Sequence, residues 1–104
     1  MVRDLFVQST LTRSTGELYI DLAKTQVHRT GLGQELLARA VRSAEQSGTQ
    51  VKSVAGHLRG VNKATFLRAG LEATPAYKLR VRAGFTRIIE SPTEANGFSL
   101  IMGR

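Results

Sequence analysis

Hydrophobic and polar residues alternate near the start of the chain. Residues 4–10, DLFVQST, suit a strand, and residues 17–24, ELYIDLAK, place leucine and isoleucine on one face and polar side chains on the other. Residues 11–16, LTRSTG, supply turn-forming residues between them. Because a period of two around a short polar connection is typical of paired strands, the pattern predicts an antiparallel hairpin.

The hydrophobic period changes after Gly33. From there apolar residues recur at helical spacing, at Leu36, Leu37, Ala40, Val41 and Ala44. Glu35 and Arg39 form an i,i+4 pair on the outer side, and Gly48 follows as a C-cap. Residues 51–56, VKSVAG, have the composition of a short strand. The order strand, glycine turn, helix, strand predicts a βαβ unit with a right-handed crossover.

The second half of the chain has two short helical patterns, residues 62–69 and 75–83, and each ends before a glycine. Thr74 precedes Pro75, which is a favourable pair of residues for a helix start. FTRIIE and FSLIM then read as strands on either side of the turn sequence SPTEANG. Residues 1–104 are therefore expected to form one α/β domain.

Composition limits the chemistry. The 104 residues are 41% hydrophobic and include no cysteine, which excludes disulfides and thiolate sites. Only two histidines occur, far apart at positions 28 and 57, so no metal site is expected. The start of the chain lacks a signal peptide's apolar centre, and no apolar run is long enough for a membrane helix. We expect a cytoplasmic protein without a membrane segment.

The formal charge of +7 is concentrated in one part of the chain. Eight lysines and arginines but one acid, Glu72, lie between Lys52 and Arg87. This bias favours an anionic partner: nucleic acid, a phosphorylated cofactor or an acidic substrate. A solvated basic face that keeps a small protein soluble explains the same charge.

Gly31 and Gly33 lie where the predicted strand passes into the predicted helix. Helix starts have unpaired N–H groups, and glycines let those groups approach a phosphate closely. The dinucleotide fingerprint needs a third glycine where this chain has Leu36, and the Walker pattern lacks its Gly-Lys-Ser/Thr. A pyrophosphate turn of another kind and a plain tight turn both remain open.

The stretch His28-Arg29-Thr30-Gly31-Leu32-Gly33, followed by Gln34, resembles the Gln/Arg-x-x-Gly-x-Gly/Ala motif of the GNAT superfamily of N-acetyltransferases. The later segment AYKLRVRAGF, residues 76–85, is similar to the family's A-x-x-L-Y-x-x-x-G-F segment. With the strand VKSVAG between them, the resemblance covers about residues 17–102. The chain looks like a short member of this family with a reduced N-terminal part.

The resemblance implies a mixed, splayed β-sheet flanked by helices, without the family's usual N-terminal strand and helices. It also implies acetyl-CoA as the acyl donor. In the family, backbone amides of the glycine turn bind the pyrophosphate, and the end of the preceding strand pairs with pantetheine. The residues expected to contact the cofactor on this basis are Leu22, Ala23, Lys24, His28, Arg29, Thr30, Gly31, Leu32, Gly33, Gln34 and Asn62.

Acetyl transfer to an amine needs a base and a source of a proton for the leaving thiolate. Glu17 occupies the position of the glutamate that often acts as base in the family, and it shares a strand face with Tyr19 and Asp21, any of which could meet the substrate amine. His57, at the end of the VKSVAG strand, is a second base candidate because imidazole exchanges protons near neutral pH. Arg80 stands where the family often has a tyrosine acid, so Tyr77, one helical turn earlier, is the candidate for that role.

The resemblance predicts an N-acetyltransferase whose acceptor amine is not identified by the sequence. Only sixteen residues precede Glu17. This leaves either an open groove for a macromolecular acceptor, such as a protein or an aminoacyl-tRNA, or a site completed by a second subunit in a homodimer. The alternatives are a non-catalytic basic module that binds nucleic acid and a CoA-binding domain that has lost catalysis.

Overall fold

The computed structural model of the protein describes residues 8–21 and 32–104. Within them the chain forms five strands and three α-helices. In chain order these are β1 (Gln8–Thr12), β2 (Glu17–Asp21), α1 (Leu32–Gln46), β3 (Ser53–His57), α2 (Val61–Ala69), α3 (Pro75–Arg82), β4 (Arg87–Glu90) and β5 (Ser99–Gly103), and a 3₁₀ turn (Leu71–Ala73) precedes α3.

The strands form one mixed sheet in the order β1-β2-β3-β5-β4. β1 and β2 are the predicted antiparallel hairpin, and β2 and β3 are the predicted parallel pair on either side of α1. β5 enters the sheet between β3 and β4 and is antiparallel to both. The α/β class is therefore confirmed, with a five-stranded open sheet in the described part of the chain.

The boundary of the hairpin differs from the prediction. The turn was expected over residues 11–16, but Leu11 and Thr12 belong to β1. Leu11 is the register partner of Leu18 and packs against the core, so burial extends the strand beyond what the local sequence indicates. The residues of the predicted first strand before Gln8 lie outside the described part of the chain.

The core lies on one face of the sheet. Leu18, Val54 and Met102 are consecutive across β2, β3 and β5, and they are fully buried against Leu37 of α1 and Phe85 after α3. Fully buried aliphatic and aromatic side chains are the main source of stability in a domain of this size.

The predicted features of α1 are present. Arg39 and Glu35 form an ion pair of 3.2 Å on its exposed side, and the helix is followed by Gly48 with φ of 98°. A left-handed glycine just after the last turn is a common helix C-cap. No described helix is long and apolar enough to cross a membrane.

The parallel ladder between β2 and β3 is short. It consists of three residue pairs and ends at Tyr19 and Ala55. Beyond that point Ile20 pairs with β1, whereas Gly56 and His57 pair with β5. The two parallel strands therefore stop pairing before their carboxyl ends.

Candidate functional site

Tyr19 and His57 meet where the parallel ladder ends. Tyr19 is the register partner of Ala55, and His57 lies two residues further along β3, so both side chains are on the sheet face opposite the core. The Tyr19 hydroxyl lies 2.9 Å from Nδ1 of His57, and the ring centroids are 5.8 Å apart. The tautomer of His57 decides which group donates. The end of the parallel ladder thus carries a pair of groups that can share a proton.

Glu17 lies on the same face as Tyr19, two residues earlier on β2. The rise of a strand places it about 7 Å from Tyr19 along the backbone. Its carboxylate has no hydrogen-bond or ion-pair partner among the described residues, and its side chain is half-buried. The structure therefore puts three residues that the sequence indicated as candidates, Glu17, Tyr19 and His57, on one face.

An open pocket of about 650 Å³ adjoins the other side of His57. It is lined by His57, Leu58, Arg59, Gly60, Lys63, Gly97 and Phe98. Nζ of Lys63 lies 4.7 Å from the centre of the Phe98 ring, and Phe66 contacts that ring edge-on. The lining contains two cationic side chains, Arg59 and Lys63, and no carboxylate, so its electrostatic potential favours anions.

Phe98 has an unusual backbone conformation. Its φ of 62° makes it the only residue other than glycine with positive φ in the described ranges 8–21 and 32–104. Two hydrogen bonds hold it there: its N–H donates to Thr93 (2.7 Å), and its carbonyl accepts from Leu58 (2.9 Å). The sequence indicated the turn SPTEANG, but no local signal places a phenylalanine in the left-handed region.

Arg80 is the one buried cation among residues 8–21 and 32–104. Its side chain is on α3 and is 5% exposed. Nη1 donates to the carbonyl of Ala76 (3.0 Å), whereas Nε has no partner among the described residues. Desolvation by burial lowers the pKa of Arg80 to about 10. The sequence singled out this position for its missing tyrosine but gave no sign that the arginine would be buried.

The guanidinium of Arg80 lies at the end of the β2–β3 ladder. A Cβ atom added to Gly56 would stand 2.9 Å from Nη2 of Arg80 and 2.8 Å from the carbonyl oxygen of Ile20. Because glycine has no Cβ atom, Gly56 allows the carbonyl of Ile20 and the guanidinium of Arg80 to lie close to the backbone of β3.

Tyr77 and Asn62 occupy other positions. Tyr77 packs against the core, and its N–H donates to the capping hydroxyl of Thr74 (3.1 Å). Asn62 accepts a hydrogen bond from the N–H of Ala76 (2.7 Å) and so ties α2 to the first turn of α3. In the described structure neither makes a hydrogen bond to Tyr19 or His57, and their predicted roles toward the acyl donor stay predictions.

Most of the residues predicted to contact acetyl-CoA fall on residues 22–31, outside the described part of the chain. These residues include Leu22, Ala23, Lys24, His28, Arg29, Thr30 and Gly31. Leu32, Gly33 and Gln34 form the first turn of α1, where backbone N–H groups have no helical acceptor. The predicted strand before the motif and the predicted helix after it are present as β2 and α1.

Residues 8–21 and 32–104 contain no group of three histidine or acidic side chains placed to hold a metal ion. Comparison with known proteins finds no matching protein family, no similar curated protein and no similar solved structure.

Proposed function

We propose that this protein is an acetyl-CoA-dependent N-acetyltransferase with a GNAT-like fold. The observation that carries the proposal is the parallel pair β2 and β3, whose ladder stops after three residue pairs with the Tyr19–His57 pair at its end. Carboxyl ends of strands in open α/β sheets are frequent ligand sites. The glycine motif between β2 and α1 and the segment AYKLRVRAGF on α3 support the same interpretation.

Acetyl-CoA is the acyl donor in this proposal. Backbone amides from Arg29 to Gln34 bind its pyrophosphate, and the chain from Leu22 to Lys24 lies along pantetheine. The start of α1 favours this placement because the positive end of a helix dipole attracts phosphate. Glu35 in the same turn is neutralised in part by its ion pair with Arg39.

The amine attacks the thioester carbonyl, the carbon–sulfur bond breaks, and one proton leaves the amine nitrogen. His57 accepts this proton at Nε2 when its Nδ1–H donates to the Tyr19 oxygen, since Nε2 then carries the lone pair. Glu17 is the alternative acceptor through a water molecule. Tyr77 stays the predicted donor of a proton to the leaving thiolate.

Calorimetric titration with acetyl-CoA tests the donor site. We expect micromolar binding that is lost in Gly31→Glu, because a carboxylate would stand among the amides that bind pyrophosphate. Ala38→Glu adds the same charge to an exposed position of the same helix and serves as the matched control. Absence of binding by the wild-type protein would overturn the proposal.

Turnover is tested by thiol release with a panel of amines. His57→Gln should lower kcat by about 100-fold or more if His57 is the general base. Tyr19→Phe keeps the ring and removes the hydroxyl that orients His57, so a smaller loss is expected. Binding of acetyl-CoA without turnover by any amine would identify a CoA-binding domain that has lost catalysis.

A basic module that binds nucleic acid is the second candidate. It is favoured by the cations between Lys52 and Arg87, none of which is ion-paired to a described residue. Such a module would bind an RNA oligonucleotide without acetyl-CoA, with an affinity that falls steeply as salt rises. The expected homodimer stays a prediction for sedimentation analysis.

A further inference from the structure

We propose that the pocket beside His57, lined by Arg59, Lys63 and Phe98, binds an anionic group of a small acyl acceptor. The group is a carboxylate or a phosphate on the same molecule as the amine. This inference rests on the proposed acetyl transfer and names the class of its second substrate.

Charge is the first reason. Arg59 and Lys63 line the pocket, and no acidic residue does. In the described structure the only two ion pairs are Arg39–Glu35 and Arg104–Glu45, so neither pocket cation is neutralised by a described side chain. A guanidinium and an ammonium on one concave surface are suited to a carboxylate or phosphate.

Lys63 is also held in position. Its ammonium lies over the Phe98 ring at 4.7 Å from the centroid, within the range of a cation–π interaction. Phe66 packs against the same ring with an interplanar angle of 75°. A lysine that is already restrained loses less side-chain freedom when it binds a ligand.

The conformation of Phe98 is the second reason. A bulky residue with φ of 62° is costly, and it persists only where its surroundings impose it. The hydrogen bonds to Thr93 and Leu58 impose it here, and the result is a ring under the ammonium of Lys63. Backbone strain of this kind is concentrated at ligand sites.

The position of His57 is the third reason. Its Nδ1 faces Tyr19, whereas its Cδ2 and Nε2 lie 3.5 and 3.8 Å from where a Cβ on Gly97 would stand. Glycine at position 97 therefore leaves this edge of the imidazole uncovered toward the pocket. An anion held by Arg59 and Lys63 would bring a neighbouring amine to the atom that accepts its proton.

The size of the pocket favours a small molecule over a macromolecule. A volume of about 650 Å³ lies within the range of small-molecule sites. Among the lining residues Phe98 is the only phenylalanine, tyrosine or tryptophan, and Lys63 already lies over its ring, which disfavours the stacking of successive bases.

Titration of the full chain with inorganic phosphate and, separately, acetate tests the pocket without acetyl-CoA. Amide NMR shifts are expected at residues 57–63 and 97–98. Arg59→Gln and Lys63→Gln should each weaken binding about 10-fold, since each removes one charged hydrogen-bond donor. Lys78→Gln changes an exposed lysine on α3 outside the pocket and should have no effect. The anion site would be overturned if the amides of residues 57–63 and 97–98 did not shift, or if their shifts persisted in both Arg59→Gln and Lys63→Gln.

Activity assays then test the substrate class. Amines that carry a carboxylate or phosphate are compared with their neutral amide or hydroxyl analogues. Arg59→Gln and Lys63→Gln should raise KM about 10-fold for the acidic amines only. Equal effects on acidic and neutral amines would overturn the inference while acetyl transfer stands. Phosphate binding without turnover of any amine would overturn the proposed function, and with it the assignment of the anion to an acceptor. An RNA oligonucleotide that saturates the same amides below the phosphate concentration would assign the pocket to nucleic acid instead.

Discussion

Replacement of Gly56 by alanine should destabilise the sheet where the parallel ladder ends. The added Cβ would stand 2.8 Å from the carbonyl oxygen of Ile20 and 2.9 Å from Nη2 of Arg80, well inside ordinary contact distance. The first neighbour is backbone of β2, and the second belongs to a side chain that is only 5% exposed. Because neither can move freely, alanine must push β2 and β3 apart or displace the guanidinium.

The magnitude follows from two opposing effects. Overpacking of a tightly packed site costs about 1–3 kcal/mol. The reduced freedom of the unfolded chain returns about 0.4–1 kcal/mol when glycine is replaced by alanine. The net loss in the free energy of unfolding should be about 1–2 kcal/mol, which lowers Tm by about 5–15 °C in a domain of this length.

Urea unfolding followed by circular dichroism measures this loss, with Gly103→Ala as the matched control. A Cβ on Gly103 would also make close contacts, at 2.8 Å to Nη2 of Arg87 and 3.0 Å to Cδ1 of Ile89. Those atoms are the ends of exposed side chains that can rotate away. We expect this variant to stay within about 0.5 kcal/mol of the wild type. Equal losses in the two variants, or none in Gly56→Ala, would refute the reasoning.

Four further substitutions test individual contacts by the same unfolding measurement. Thr74→Ala removes a buried N-cap hydroxyl with two hydrogen bonds, of 3.1 and 2.7 Å, and should cost about 1–2 kcal/mol. Glu45→Gln weakens a carboxylate that accepts from the N–H of Val51, two residues before β3, and pairs with Arg104, and should cost about 1 kcal/mol. Glu35→Gln, in a more exposed pair, should cost less than about 0.5 kcal/mol. Arg80→Met removes a buried charge whose desolvation opposes folding and should raise stability at pH 7, and a loss of stability would contradict this and indicate a partner that neutralises the guanidinium. Its folded-state pKa, about 10, lies below its ordinary value, so this gain should shrink as pH rises through 10.

Local sequence patterns predicted the elements well because each element has a short-range physical cause. The helical period after Gly33 corresponds to α1, and Thr74 caps α3 by accepting a hydrogen bond from the N–H of Tyr77. The parallel pair was also predicted, since a helix between two strands leaves few other connections. Burial of Leu11 was missed because it depends on its register partner in β2.

The candidate site was harder to predict because it depends on contacts between distant residues. Tyr19 and His57 are 38 positions apart, and only the register of β2 against β3 brings them within 2.9 Å. The left-handed conformation of Phe98 and the burial of Arg80 were also not predicted from the sequence. The conformation of one and the burial of the other are imposed by neighbours from other segments, and no local propensity would favour either.

Gly56 and Arg80 should be energetically coupled, and a double-mutant cycle would measure this. The Cβ added by Gly56→Ala meets Arg80 and Ile20, and Arg80→Met removes the first of these contacts. Alanine should therefore cost at least about 0.5 kcal/mol less in the Arg80→Met background than in the wild type. Additive effects would mean that the carbonyl of Ile20 alone resists the added methyl group. If alanine costs less in the Arg80→Met background, glycine is needed at position 56 to accommodate the Arg80 charge, which itself opposes folding. Since neither residue would then be explained by stability, the close approach of β2, β3 and the guanidinium would have to be explained by what binds at the end of the ladder.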